Sequence, residues 1–131
     1  MANVEPLIAG KRCLVLDDEF LIALDIQGIL ESAGAASITC VGNAVEALAA
    51  LRGEPRFDFA VLDIKLSGAT RGSLSVAAVL TEQGIPFVFL TGMRRDEVRM
   101  QQFPDAPVVE KPYEAPLLVA AILRALAGRK I

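Results

Sequence analysis

Histidine is absent from this chain of 131 residues, and cysteine occurs only twice. With no imidazole and no further thiols, Cys13 and Cys40 cannot assemble a site of soft nitrogen and sulfur ligands. Both fall in predicted strands and read as buried, reduced thiols. No stretch of about 18 uncharged apolar residues occurs, which excludes a membrane-spanning helix. The opening MANVEPLIAG lacks a basic start and a long apolar segment. It is therefore not a signal peptide, and a cytoplasmic location is expected. Basic charge is not in surplus: 13 Lys and Arg stand against 16 Asp and Glu, a net charge of −3. That balance argues against nucleic-acid binding, which needs a concentrated basic surface. Arg94, Arg95 and Arg99 do cluster, but a solvated helix face explains them as well. Repeats, low-complexity tracts and interdomain linkers are also missing.

What is present is apolar and periodic. Hydrophobic residues make up 53% of the chain, which suits a sheet covered on both faces by helices. The length predicts one domain, 1–131 with its core at about 10–127, and no output domain. Strand and helix patterns alternate five times, the signature of a parallel α/β fold. Strands are predicted at 11–16, 36–41, 57–62, 85–90 and 107–110. Helices are predicted at 19–33, 44–52, 73–83, 94–102 and 114–127, the third after a glycine-containing loop at 66–72. Ile22, Ile26, Ile29 and Leu30 share one face of the first helix. Gly34, Gly53, Gly84 and Gly128 lie where helices should stop. Asn43 precedes Glu46 by three residues, close to a capping box. Pro116 fits only the first turn of the last helix. Right-handed crossovers give a doubly wound five-stranded parallel sheet, in the flavodoxin-like order 2-1-3-4-5 with helices on both faces.

Polar groups follow four of the five strands: Asp17 and Asp18, Asp63, Thr91, and Lys111 with Pro112. A parallel sheet converges these positions on one edge, with strands one and three adjacent at the switch point. Three crowded carboxylates repel one another unless a cation lies between them, and oxygen-only ligands select a hard ion such as Mg²⁺. An ammonium and a hydroxyl beside that ion are what a transferred phosphoryl group needs. The pattern reads as a phospho-accepting aspartate site with Asp63 as nucleophile. Each piece alone has a plainer explanation. Asp17 and Asp18 could cap a helix, Thr91-Gly92 could end a strand, and Lys111 could be solvated. Asp63, after the apolar run Phe59 to Leu62, is harder to dismiss, because it faces a desolvation penalty unless compensated.

The segments LVLDDE (14–19), FAVLDIKLSG (59–68), PFVFLTG (86–92) and VVEKPY (108–113) occur in order and in register, and over residues 10–127 the chain resembles a receiver domain of a two-component response regulator. The resemblance implies that Asp18 binds the metal directly, Asp17 supports it through water, and the backbone carbonyl of Lys65 completes the protein ligands. It also implies that Lys111 pairs with a phosphoryl oxygen, that a cis peptide precedes Pro112, and that Thr91 turns its hydroxyl onto the attached group. Such domains draw their phosphoryl group from a phosphohistidine. This chain has none, so the donor must be a histidine kinase, a phosphotransfer protein or a small phosphodonor. The resemblance thus implies a signalling switch or phosphoryl sink rather than an enzyme.

Three departures from the family pattern involve four positions. Ser67 replaces the usual proline four residues after the acceptor. Lys65 and Met93 flank the path of attacking water. Val108 stands where an aromatic ring usually swings inward. The combination of FLTG, the missing proline and a lone domain is similar to single-domain alphaproteobacterial receivers with a Phe-x-Thr-Gly loop, whose partners are kinases of the HWE or HisKA2 type. Phe20, Leu21 and Leu24 remain as apolar surface on the first helix, a candidate kinase-docking patch. The signal is expected to leave through the 92–103 loop and helix. Other readings are an unphosphorylated pseudo-receiver that only binds partners, a haloacid dehalogenase-like phosphatase, and a flavodoxin-type binder. The phosphatase needs a second Asp where Lys65 stands. The flavodoxin needs a phosphate loop where Asp17, Asp18 and Glu19 would repel phosphate.

Overall fold

The apolar runs become strands and the 3.6-residue patterns become helices, in strict alternation over most of the chain. The computed structural model describes residues 6–64, 70–92 and 102–128. In chain order it contains β1 (Arg12–Leu16), α1 (Phe20–Ser32), β2 (Ser37–Val41), α2 (Ala44–Leu51), β3 (Phe59–Ile64), α3 (Thr70–Gln83), β4 (Phe87–Thr91), β5 (Val108–Glu110) and α4 (Ala115–Ala127). The sheet is parallel throughout in the order β2-β1-β3-β4-β5. The expected architecture is the observed one. No described helix is long and apolar enough to cross a membrane.

Alternation of side chains along each strand sorts the core into two layers. Leu14, Leu16, Leu62 and Phe89 point to one face and pack with Ala47, Leu51, Val76 and Leu80 of α2 and α3. Cys13, Val15, Val61, Val88 and Leu90 point to the other and meet Ile26 and Leu30 of α1 and Leu118 and Ile122 of α4. Each fully buried Leu or Ile contributes roughly 2 kcal/mol of transfer free energy. On α1 the deepest positions are Ala23, Ile26 and Leu30, while Ile22 and Ile29 pack half-buried at the rim.

Several boundaries differ from expectation. β3 starts and ends two residues later than predicted, so Asp63 lies inside the ladder, opposite Leu90. All six residues of β3 are buried. A strand buried on both faces reads as a continuous apolar run, which carries no phase to mark its ends. Helix α3 begins at Thr70, within the expected loop. The helix expected at 94–102 lies outside the described residues, all but Gln102. Asn43 caps α2 by accepting from the Glu46 amide at 2.9 Å, and Glu46 reaches back to the amide of Gly42. After α1 and α3 the chain turns at Gly34 and Gly84 with φ of 101° and 72°, a left-handed conformation open to glycine at little steric cost.

Cys13 is buried as expected, but Cys40 is exposed. β2 is an edge strand and buries no residue fully. The Cys40 thiol lies near its end, 3.8 Å from Gln27 Oε1.

Candidate functional site

Strand register places the site. Leu16 is paired with Leu62, so the next residues, Asp17 and Asp63, stand side by side at the carboxyl edge. The backbone amide of Asp17 still donates to Val41 O at 3.0 Å, which holds the residue in line with the sheet. Asp17 and Asp63 are each only 4% exposed, and Thr91, paired with Ile64 at the end of β4, is 0% exposed. The amide of Lys111 donates to Thr91 O at 2.8 Å, bringing the lysine over the same edge. Its ammonium lies 2.6 Å from Asp63 Oδ1 and 3.8 Å from Asp17 Oδ2. Lys111 is therefore not a solvated surface lysine. The peptide before Pro112 is cis, as the resemblance implied.

The carboxylates are short of partners. Asp17 Oδ1 accepts from the Glu19 amide at 2.9 Å, but Asp17 Oδ2 and Asp63 Oδ1 are buried with no aligned hydrogen-bond donor. The lysine meets Asp63 as a close ion pair and Asp17 as a charge 3.8 Å away. Burial raises the Asp17 carboxyl above its ordinary value; the Glu19 amide opposes this, the neighbouring Asp63 adds to it, and Lys111 opposes it again. Two like charges about 4 Å apart repel by roughly 4 kcal/mol at an effective dielectric of about 20. One ammonium shared between two carboxylates leaves net negative charge on this edge.

Asp17, Asp18, Glu19 and Asp63 each offer an oxygen, and these four atoms lie within 4.8 Å of one another. A donor set of oxygens alone, two of its members buried and one orphaned oxygen on each, fits a hard divalent cation. Lys65, whose carbonyl was expected among the ligands, lies outside the described residues, as do Ser67, Met93, Arg94, Arg95 and Arg99. Asp18 does not occupy the N-cap position of α1. The N-cap position falls to Glu19, without a side-chain cap bond.

Three residues escaped the sequence reading. Ser73 Oγ donates to the backbone carbonyl of Asp63 at 2.7 Å, tying α3 to the central carboxylate. A serine in the first turns of a helix gives no hint of such a bond. Tyr113 hydroxyl donates to Asp25 Oδ2 at 3.0 Å, across 88 residues of sequence, a separation no local pattern reports. Phe103 packs edge-on against Phe87 and Phe89, with ring centroids 5.9 Å away from each. Val108 is half-buried beside this cluster.

No family model matches the chain. Among solved structures it is similar to a response regulator receiver protein from Sinorhizobium medicae, at 26% identity and a TM-score of 0.77, covering 92% of this chain and 98% of that one. It is also similar to the BeF3-activated conformation of SdrG from Pseudomonas melonis, at 34% identity and a TM-score of 0.74, covering 90% and 98% of the two chains. A curated relative is the phyllosphere-induced regulator PhyR of Methylorubrum extorquens, 26% identical over 117 residues. The match takes in 89% of this chain and 44% of PhyR, so the chain spans less than half the length of that protein. Fold, strand-end geometry and these likenesses agree. The chain belongs to the receiver-domain family of response regulators.

Proposed function

We propose that this receiver domain is a phospho-accepting switch, in which a carboxylate oxygen of Asp63 takes a phosphoryl group from a phosphohistidine on a partner protein. The observation that carries the reading is the Lys111 ammonium 2.6 Å from Asp63 Oδ1, at an edge shared with Asp17 and the buried Thr91. In the reaction the new P–O bond forms as the P–N bond to the donor imidazole breaks, and the imidazole leaves in line. Lys111 pairs with an oxygen of the arriving group, and the Thr91 hydroxyl donates to another. Asp17, Asp18 and Asp63, with the Lys65 carbonyl, would hold Mg²⁺. When bound, the ion neutralises charge on the phosphoryl oxygens. Glu19 adds a further carboxylate to that cluster.

None of these residues can serve as the phosphohistidine donor, because the sequence has no histidine. Phe20, Leu21 and Leu24 at the start of α1 are largely exposed, as is Leu117 of α4. An apolar patch beside a reactive group suits a helical surface of a histidine kinase or phosphotransfer protein.

Intact-mass analysis after treatment with a small acyl phosphate and Mg²⁺ tests the reading. One added phosphoryl group is expected on the wild type and none on Asp63→Asn. Full labelling of Asp63→Asn sinks the assignment. A wild type that stays unlabelled supports the pseudo-receiver reading instead.

A further inference from the structure

Lys111 is held from both sides. Before it, β5 ends at Glu110 and the Lys111 amide is bound to Thr91 O. Two residues after it, the ring of Tyr113 packs against the core layer beneath α1 and α4, and its hydroxyl reaches Asp25 on the outer face of α1. A lysine side chain is long and flexible, so the direction of its backbone decides which oxygens its ammonium can reach. Burial and the bond to Asp25 both raise the Tyr113 phenol above its ordinary value, consistent with the hydroxyl acting as the donor in that bond. Asp25 follows Leu24 directly and stands one turn from Leu21, so the anchor lies within the apolar patch of α1.

Resting on the phospho-acceptor reading, we propose that Tyr113 is a positioning residue, whose hydrogen bond to Asp25 fixes the segment carrying Lys111 and so sets how the ammonium meets the phosphoryl group on Asp63. The pair ties the α1 surface to the reacting edge through one bond and two peptide units.

The test is a mutant cycle on the rate of labelling by a small acyl phosphate at saturating Mg²⁺. Tyr113→Phe keeps the ring and loses the donor. Asp25→Ala removes the acceptor from an exposed position, and Asp25→Asn retains one. Tyr113→Phe and Asp25→Ala should each slow labelling by about three- to tenfold, the effect of one hydrogen bond, while Asp25→Asn stays near wild type. In a Lys111→Met background, Tyr113→Phe should have no further effect. An equal drop in that background, or no drop in either single variant while the wild type labels, overturns the proposal. If the wild type itself does not label, the acceptor reading falls, and Mg²⁺ affinity measured by calorimetry decides the latch. Freeing the ammonium from the carboxylates should tighten Mg²⁺ binding roughly twofold, and only when Lys111 is present. An unchanged dissociation constant overturns the proposal on that arm.

Discussion

Asp58 lies just before β3 and Asp63 is its fifth residue, yet the two sit in opposite electrostatic surroundings. At the amino end of β3, Asp58 Oδ2 accepts from the Arg12 amide at 2.9 Å, and the Asp58 amide donates to Arg12 O at 2.8 Å. The Arg12 guanidinium lies over the Phe57 ring and donates to Pro55 O. A carboxylate there closes the ladder through an aligned donor, and the orphaned buried atom at that end is Arg12 Nε rather than a carboxylate oxygen. At the carboxyl end, Asp63 Oδ1 is buried with an ammonium beside it but no aligned donor, and a second orphaned oxygen belongs to Asp17 next door. Burying charge without full compensation costs several kcal/mol per ion. Such an edge suits a cation or a transferred group that would complete it, as the proposed function requires. On the proposed function, the same residue type is structural at one end of the strand and reactive at the other. The difference lies in what surrounds it.

The sharpest way to break this contrast is to remove each carboxylate in turn. Asp63→Asn should abolish labelling completely while the fold is kept or stabilised, since repulsion with Asp17 is relieved. Asp58→Ala should do the reverse: labelling persists, and stability falls by about 1 kcal/mol with the lost hydrogen bond to Arg12. Intact mass and denaturant unfolding on both variants decide the matter. Loss of labelling in Asp58→Ala at full occupancy of the native state would contradict it.

Next in size is the response to metal. A ligand that binds only the folded state adds about 2.7 kcal/mol at one hundred times its dissociation constant, so Mg²⁺ should raise the unfolding midpoint of the wild type. Asp18→Asn should abolish most of that rise, and Asp58→Ala should leave it intact. A midpoint that ignores Mg²⁺ in the wild type would remove the cation from the account.

A smaller effect is expected at the partner surface. Leu21→Glu or Leu24→Glu should slow transfer from a cognate kinase by roughly tenfold, the cost of losing one anchoring contact, and spare labelling by a small phosphodonor. Equal loss in both reactions would indicate a folding defect in α1 rather than a docking role.

The carboxyl end was more legible in the sequence than the amino end, for a physical reason. Asp17, Asp63, Thr91 and Lys111 each follow an apolar run, and parallel topology alone brings strand ends together. The roles of Asp58 and Arg12 depend on backbone amides, which the sequence does not display. Ser73 and Tyr113 escaped for a related reason: one bonds a carbonyl, the other a carboxylate 88 residues away. Cys40 was misplaced because a β-branched and apolar strand reads the same at the sheet edge as in its centre. The late start of β3 follows from the same loss of phase in fully buried strands.

The smallest effect concerns Tyr113, and the composition makes it easy to isolate. It is the only tyrosine, and tryptophan is absent, so phenolate absorbance reports this one side chain. Its pKa is raised above 10.0, first by burial, then by the hydrogen bond and charge of Asp25. Because the folded value exceeds the unfolded one, the stability this group contributes is complete below pH 10 and is lost as pH rises through the folded value. Asp25→Ala removes the second and third causes and leaves burial and the charge of Asp17, so the titration should move down while staying above that of a free phenol. Asp58→Ala, at the other end of the sheet, should not move it. A titration unchanged in Asp25→Ala would mean that burial and the charge of Asp17 set the phenol, and that the bond between α1 and the lysine segment is too weak in solution to orient anything.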